Sequence, residues 1–292
     1  MEKEKEDIDQ YRTMLFSIAY NMLGAIADAE DMVQETYASW MESDKSHVTN
    51  VKFYLIRIIS NKCIVHLKKI KKERAAYIGT WLPEPIQSAL DAESEDPKNN
   101  LSIGFMYLLE KLTPIERGVI ILKEAFDLPH TDISSIFEIT YEHCRQHFSR
   151  AKKKLLLEKS KFTVDASKHE EILRKFLDAC LSRNLEEIIG LLREDVTAYA
   201  DGGGNAPAIL TPLSGKNSVL RLLIGGVESA PAYGKMDVLS INGLSCAAFY
   251  QRKEGTPPDV LIAIDIDDDD KIANIYYIVN PEKLQHLEIN KN

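Results

Sequence analysis

Cysteine is scarce in this chain: Cys63, Cys144, Cys180 and Cys246 are spread over 292 positions with no C-x-x-C pair. Such spacing offers neither a zinc cluster nor a disulfide framework, and each thiol falls in an apolar-periodic stretch, as buried free cysteines do. No metal and no cofactor is expected. Nor does any apolar run approach the ~20 residues of a membrane span. The opening MEKEKEDIDQ lacks the apolar core of a signal peptide, so a soluble, cytoplasmic protein is expected. A surplus of positive charge is missing too. The net charge of −9 disfavours a purely electrostatic nucleic-acid binder. There is no internal repeat.

What is present is ordinary in bulk and uneven in detail. Hydrophobic content of 45% and charged content of 28% allow a sizeable core, and the length suits two or three domains. The acidity lies at 75–100 (net −4) and 161–292 (net −6), whereas 1–74 balances to zero and 101–160 to +1. Within the first segment the charge is segregated. ADAEDMVQETYASW (27–40) is acidic on one side, and VKFYLIRIISNKCIVHLKKIKKER (51–74) carries eight Lys/Arg against Glu73 alone.

From about 9 to 74 the periodicity is helical. Leu15, Ile18, Ala19, Met22 and Leu23 form one apolar stripe, and Met32, Val33, Thr36, Tyr37 and Trp40 another. A third places Tyr54, Leu55, Ile58, Ile59, Ile64, Val65 and Leu67 inward. Asp28 is the expected cap of the second helix. Residues 75–100, with three prolines and an acidic stretch, read as a linker, although Trp81 and Leu82 are apolar enough to dock. Helices return over 101–160. Thr113-Pro114-Ile115-Glu116 spells a capping box, and a short helix near 130–137, a turn at Glu138-Ile139 and a Thr140-capped helix to about 157 give a helix-turn-helix. Beyond 160, helices near 168–183, 185–193 and 216–224 accompany the apolar runs 196–200, 236–241, 245–250, 260–266 and 272–279. Helices followed by strands, expected antiparallel, predict an α+β domain. The expected domains are therefore 1–74, a linker 75–100, 101–160 and 161–292, two all-α modules and one α+β domain.

The residues suggest where chemistry would lie. Arg57, Asn61, Lys62, Lys68 and Lys69, with Lys52, Lys71, Lys72, Tyr54 and His66 nearby, suit an opened or single strand, with a merely solvated basic face as the plain alternative. At the start of the 140–157 helix, Tyr141, Glu142, His143, Arg145 and Gln146 would reach base edges, and Arg150, Lys152, Lys153 and Lys154 would take phosphates. Asp28, Glu30, Asp31, Gln34 and Glu35 form an acidic face suited to a basic protein surface.

LFSIAYNMLG followed by ADAEDMVQETY and the basic helix resembles region 2 of bacterial extracytoplasmic-function (ECF) sigma factors, and LLEKLTPIERGVIILKEAFDLP with the helix-turn-helix resembles their region 4. Together these cover nearly all of 10–157. WLPEP (81–85), DGGG (201–204) and NPEKL (280–284) look like the ECF subgroup with a C-terminal SnoaL-like domain, a cone-shaped α+β fold shared with nuclear transport factor two. The resemblance implies a factor that binds core RNA polymerase and directs promoter recognition. Asp28, Asp31, Gln34 and Glu35 would meet the clamp helices of the largest subunit. Arg57, Asn61, Lys62, Lys68 and Lys69 would meet the minus-ten element, and Tyr141, Glu142, His143, Arg145, Gln146, Arg150 and Lys153 the minus-thirty-five element. Four positions depart from the pattern: Glu138 stands where the turn often has glycine, Asn205 where a basic residue often follows DGGG, and His130 with Thr131 where acids are common.

Trp81, Leu82, Pro83, Asp201, Gly202, Gly203, Gly204, Asn280, Pro281 and Leu284 are the expected regulatory contacts, through which the C-terminal domain would pack on the DNA-binding modules. Asp201 beside three glycines reads as a tight turn with exposed N–H groups. The cavity that SnoaL-like folds enclose, lined here by Tyr199, Asp201, Cys246, Tyr250 and Tyr276, allows a small-molecule ligand. No histidine lies on the strands, which argues for regulation over catalysis. The acidic run Asp265, Asp267–Asp270 lacks EF-hand spacing and reads as a solvated turn. Two other readings stay open: a stand-alone helix-turn-helix regulator with a ligand-sensing domain, and a SnoaL-like enzyme with DNA-binding appendages.

Overall fold

The computed structural model describes residues 8–87, 101–157, 165–229, 234–251 and 256–287. The acidic part of the expected linker, beyond residue 87, lies outside them. The chain divides into two compact units. One takes the described residues of Met1–Ala75 and Leu109–Leu157. The other takes those of Ala76–Glu93, Leu101–Leu108 and Glu158–Asn292. The break after Ala75 falls at the start of the expected linker, whereas the boundary expected at 100 does not divide the units, since most of the described linker and the start of the next helix fold with the C-terminal residues.

The first unit is all helical. Helices α1 (Arg12–Leu23), α2 (Ile26–Glu42) and α3 (Val51–Ala75) pack through the apolar stripes read from the sequence. Leu15, Ile18, Ala29, Val33, Leu55 and Ile59 are wholly buried, whereas Val65, expected inward, is 67% exposed. Asp28 does not cap α2; Ala25 holds that position without a side-chain bond, and Asp28 lies within the first turn, where its charge faces the positive end of the helix dipole. Helix α5 (Pro114–Glu124) opens with the full capping box, Thr113 and Glu116 each accepting from the other's backbone N–H. Helices α6 (His130–Ile136) and α7 (Tyr141–Leu157) follow as the helix-turn-helix.

Arg117 on α5 is buried and ties this unit together. It donates to the carbonyls of Met22 at 2.9 Å and Leu109 at 3.1 Å, and pairs with Glu110 at 2.8 Å. Arg74, at the end of α3, pairs with the same carboxylate at 2.5 Å and also reaches the Leu23 carbonyl. Two cations thus serve carbonyls at the C-terminal end of α1, where orphan acceptors and the negative dipole end coincide. Burial alone would push the Glu110 carboxyl up, but Arg117 and Arg74 outweigh it and hold it below the usual range.

The second unit is α+β. Its six-stranded sheet runs in the order β2-β1-β6-β5-β4-β3, built from β1 (Leu192–Asp201), β2 (Leu213–Ser214), β3 (Lys235–Ile241), β4 (Leu244–Tyr250), β5 (Val260–Ile266) and β6 (Ile272–Ile278). All neighbours are antiparallel except β1 and β6, which run parallel, a correction to the expected all-antiparallel sheet. Parallel pairing needs a long crossover, and the chain between β1 and β6 supplies one.

Helices α8 (Ala166–Leu181), α9 (Leu185–Leu191) and α10 (Lys216–Ser229) bury one face of the sheet through Leu173, Phe176, Ile188 and Val219. The other face is buried as well. Leu82, then Ile103 and Tyr107 of α4 (Ile103–Leu109), then Leu284 of α11 (Pro281–Leu284) and Leu287 pack over Leu239, Cys246, Leu261, Tyr276 and Ile278. A sheet covered on both faces explains why β5 and β6 read as apolar runs rather than alternations. The linker is part of this core.

Candidate nucleic-acid interface

On α7 the apolar positions Cys144, Ala151 and Leu155 are buried against α5 and α6. Helical spacing then leaves Tyr141, Glu142, His143, Arg145, Gln146, Arg150 and Lys153 exposed, seven of the nine residues expected to face bases or phosphates. Thr140 receives the His143 N–H at 3.2 Å and starts the helix. The Arg145 guanidinium lies 5.9 Å from the centre of the Tyr141 ring, which holds it at the helix tip. Lys152 and Lys154 are spoken for: they pair with Glu124 and Glu116 at 2.8 and 2.7 Å. His130 packs edge-on against Phe148, with its Nδ1 3.6 Å from Cys144 Sγ, and partial burial keeps its imidazole below its ordinary pKa.

The turn between α6 and α7 solves the missing glycine by strain. Glu138 adopts φ 53°, and its N–H reaches the Ser135 carbonyl while that of Ile139 reaches Ser134. Those two bonds are the Schellman closure of a helix, with a glutamate at the left-handed position glycine usually takes. The side chain does not point idly to solvent. Its carboxylate pairs with Arg57 of α3.

The basic helix therefore has two kinds of residue. Lys68 and Lys69, with Lys52, Lys71 and Lys72, are exposed. Arg57, Asn61 and Lys62 are partly buried and engaged. Asn61 Nδ2 donates to the Arg57 carbonyl at 2.9 Å and to the Ile136 carbonyl at 2.8 Å, and Lys62 pairs with Glu35 at 3.0 Å. On α2, Asp31 and Gln34 are exposed, Glu35 is exposed and paired with Lys62, and Asp28 Oδ1 lies 3.2 Å from His66 Nε2. Acidic and basic faces adjoin along one edge.

In the second unit WLPEP, DGGG and NPEKL meet one another around Asp201. Its carboxylate is wholly buried at the end of β1, which corrects the reading of an exposed turn. It accepts from the Tyr77 hydroxyl at 2.5 Å and the Leu82 N–H at 2.7 Å, and pairs with Lys283 at 2.7 Å. Lys283 also donates to the Leu82 carbonyl and lies 4.4 Å from the centre of the Trp81 ring. Asn280 caps α11 and donates to the Tyr77 oxygen, while Asn205 donates to Glu282. His286 Nε2 donates to the Pro85 carbonyl at 2.6 Å.

Asp201 does not line the cavity under the sheet. Of the expected lining groups Cys246 does, and Tyr276 reaches it indirectly, donating at 2.8 Å to the half-buried Asp265. Tyr199 stacks on Tyr276 with ring centres 5.3 Å apart, and Tyr250 is buried elsewhere on that face. Sequence reasoning missed Asp265 and His169 as cavity residues. Asp265 stands apart from the hairpin turn 267–270, on the face shared by Leu261 and Ala263, and His169 keeps the spacing of Ile172, Leu173 and Phe176. Both were legible as inward positions. Burial raises the Asp265 carboxyl and lowers the His169 imidazole, whose Nε2 donates to the Ile264 carbonyl at 3.0 Å. The free volume is about 10 Å³, room for one water, and Ser102, Ile103 and Gly104 are among the residues that line it.

Among the described residues no cluster of His, Cys, Asp and Glu could hold a metal ion, and no helix is long and apolar enough to cross a membrane.

The chain matches the family described as Sigma-70 region 2 over residues 8–73 and that described as Sigma-70, region 4 over 104–155. It is 28% identical over 294 residues to the ECF RNA polymerase sigma factor SigJ of Mycobacterium tuberculosis, covering 96% of this chain and 93% of the relative. A probable ECF RNA polymerase sigma factor, SigI, of the same organism is 28% identical over 195 residues, 65% of this chain and 67% of its own length. The crystal structure of SigJ superposes with a TM-score of 0.73 at 27% identity, over 95% of this chain and 98% of that one.

Proposed function

The chain belongs to the extracytoplasmic-function sigma factors, proteins that direct transcription initiation, and from that premise we propose which surface performs which task. Its partners are core RNA polymerase and promoter DNA. The exposed acids of α2, Asp31 foremost with Gln34, Glu35 and Asp28 beside it, dock on the polymerase, at the clamp helices of the largest subunit. Lys68 and Lys69 of α3 steer the promoter by its phosphates, and Arg57 and Asn61 contact the minus-ten element once free. The exposed row on α7 reads the minus-thirty-five element: Arg145 and Gln146 take base edges, Arg150 and Lys153 take backbone.

The observation that carries this reading is the segregation of charge over adjoining helices, with the seven α7 residues exposed together. A bridge between enzyme and template needs a surface of each sign. A stand-alone repressor would leave α2 without a task. The space around Asp265 and His169 has room for a single water and so admits no substrate there. That unit regulates. Its hub at Asp201 fixes residues 77–85, and Ser102, Ile103 and Gly104 line the space beside Asp265, so a ligand entering there would have to displace the start of α4.

Run-off transcription with purified core polymerase tests the assignment. Asp28→Lys combined with Asp31→Lys should cut transcript at least about tenfold while leaving binding to promoter DNA intact, since a reversed charge pair costs several kcal/mol at a complementary interface. Unchanged transcript would remove the docking role from α2.

A further inference from the structure

We infer that a slot through the sheet of the second unit holds one water molecule, which joins His169 of α8 on one face to Asp265 beneath α4 on the other, and that the hold of α4 on the sheet answers to protons through it. Every group involved belongs to the second unit, so nothing here depends on the DNA and polymerase surfaces.

The slot exists because two strands part. Strands β4 and β5 are paired from Phe249 with Val260 to Ala247 with Ile262 and no further. Yet β4 stays paired with β3 down to Leu244, and β5 with β6 down to Ile266. The backbone groups that a longer ladder would use therefore need other partners. Helix α8 supplies them. His169 Nε2 donates to the Ile264 carbonyl at 3.0 Å, and Glu170 beside it accepts from the Ser245 hydroxyl at 3.0 Å. Alternation along β5 turns Ile264 toward the helix layer and puts Asp265 on the face of Leu261 and Ala263, which α4 covers. The opening thus runs from one face of the sheet to the other.

Hydrogen bonding fixes what must fill it. A carbonyl only accepts, so Nε2 carries the hydrogen and Nδ1 of the neutral ring is a bare acceptor. His169 is 1% exposed, and Nδ1 has no partner. Tyr276 and Asn274 both donate to Asp265 Oδ2, at 2.8 and 3.3 Å, which leaves Oδ1 open to a further donor. Two acceptors bordering one space call for a molecule that donates twice. The volume of about 10 Å³ admits a single water. Cys246 lines the same space, and burial, with Asp265 nearby, pushes its thiol up to about 12. It stays an S–H and offers the water oxygen a weak donor.

Water also lets the site take a proton. When His169 is charged, Nδ1 becomes a donor, and the water turns to accept from it while still donating to Asp265. The other groups around the ring are few. On α8, Glu170 is paired with Arg174 and Lys168 with Asp270. Strand β4 brings Cys246, β6 brings Tyr276 through Asp265, β3 only Ile241, and the start of α4 only the Ser102 hydroxyl. Burial outweighs the attraction of Asp265 and Glu170 and holds the imidazole below its ordinary value. The closed slot therefore prefers the neutral ring, and its stability falls as pH drops below the free histidine value of about 6.5. Asp265 has the opposite sign, because burial raises its carboxyl. The side that gives way is α4. It has only 7 residues and seals the slot at Gly104, where a Cβ would collide with both Asp265 oxygens, whereas α8 is anchored by Leu173 and Phe176.

The tests use the full chain. A crystal structure at pH 8 should show one water within hydrogen-bond distance of both His169 Nδ1 and Asp265 Oδ1, and nitrogen NMR should find Nδ1 without a hydrogen. Hydrogen exchange of the α4 amides at pH 7 and pH 5, each relative to the intrinsic rate, reads the hold on the sheet. Protection should fall severalfold more in the unaltered chain than in His169→Gln, which keeps a donor for Ile264 and an acceptor for the water but takes no proton. Asp265 is present in both chains, so its titration cancels in the comparison. A dry slot, a water that reaches only one of the two groups, a hydrogen on Nδ1, or equal loss of protection in the two chains would overturn the inference. The crystal and NMR measurements need no variant and decide the matter even if the substituted chain fails to fold.

Discussion

Lys283 and Asp201 form an ion pair of 2.7 Å in which the carboxylate is wholly buried and the ammonium only 12% exposed. The pair fastens the tail helix α11 to the end of β1 and, through Leu82 and Tyr77, fastens the linker to both. A buried pair contributes little by existing, but a great deal is lost when one partner goes, because the other charge stays buried.

Asp201→Ala should therefore destabilise the second unit by about 3 kcal/mol. Urea unfolding followed by tryptophan fluorescence would show it, Trp81 being beside Lys283. A loss below about 0.5 kcal/mol, the level of an ordinary surface change, would mean the hub is decorative.

Gly104 is the point where α4 touches the sheet. A Cβ there would lie 2.4 Å from both carboxylate oxygens of Asp265, a half-buried group that Tyr276 and Asn274 hold by hydrogen bonds and leave little freedom to retreat. Gly104→Ala should cost about 1–3 kcal/mol as an overpacking change, despite alanine's better helix propensity. Thermal melts of this variant against Gly190→Ala, where a Cβ meets nothing, separate packing from propensity.

Along α7, Arg145→Ala should cost about 1–3 kcal/mol at its cognate base pair and relax preference there. Lys153→Ala should weaken all sequences alike and lower the slope of log affinity on log salt by about one. Binding titrations across salt, on the promoter and on a substituted duplex, distinguish the two.

His130, His147 and His169 share a sign. Burial holds each imidazole below its ordinary pKa in the folded chain, so the unfolded chain binds more protons as pH drops. Stability should be full above the unfolded value of about 6.5 and decline as pH falls below it. His169→Gln, which can still donate to the Ile264 carbonyl, should show a shallower decline between pH 7 and pH 5 in denaturant titrations. An identical slope would mean that His169 takes no part.

Residues 161–292 produced alone should fold poorly, because Leu82, Ile103 and Tyr107 would no longer cover Cys246, Leu261 and Tyr276. Beginning the chain at Ala76 and omitting 109–157 behind a flexible joint should restore a cooperative melt. Calorimetry on the two fragments decides it.

The helices of the first unit were legible because their burial repeats at the helical period: the stripes of α1 and α2 and the Thr113 capping box appear where the residues put them. The solvent row on α7 follows from the same arithmetic, as the complement of Cys144, Ala151 and Leu155. Val65 escaped it, since a helix of 25 residues cannot turn every apolar position toward a neighbour, and Val65 is left 67% exposed. Asp201 was misread for a related reason. Beside three glycines it looks like a turn, and only Lys283, 82 positions away, and Tyr77, 124 positions away, make burial of its charge tolerable.

By itself the sequence determined what depends on neighbours within a turn or two: the existence of the helices, the bend at Glu138, apolar strands, and the separation of acidic from basic faces. The tertiary structure alone decided what depends on partners far along the chain. It placed the linker over the sheet, ran β1 parallel to β6, brought His169 to Asp265, and set Glu138 on Arg57 across 81 residues. Periodicity carries information over one element, whereas a buried charge or a shared seam is fixed by which distant surfaces meet.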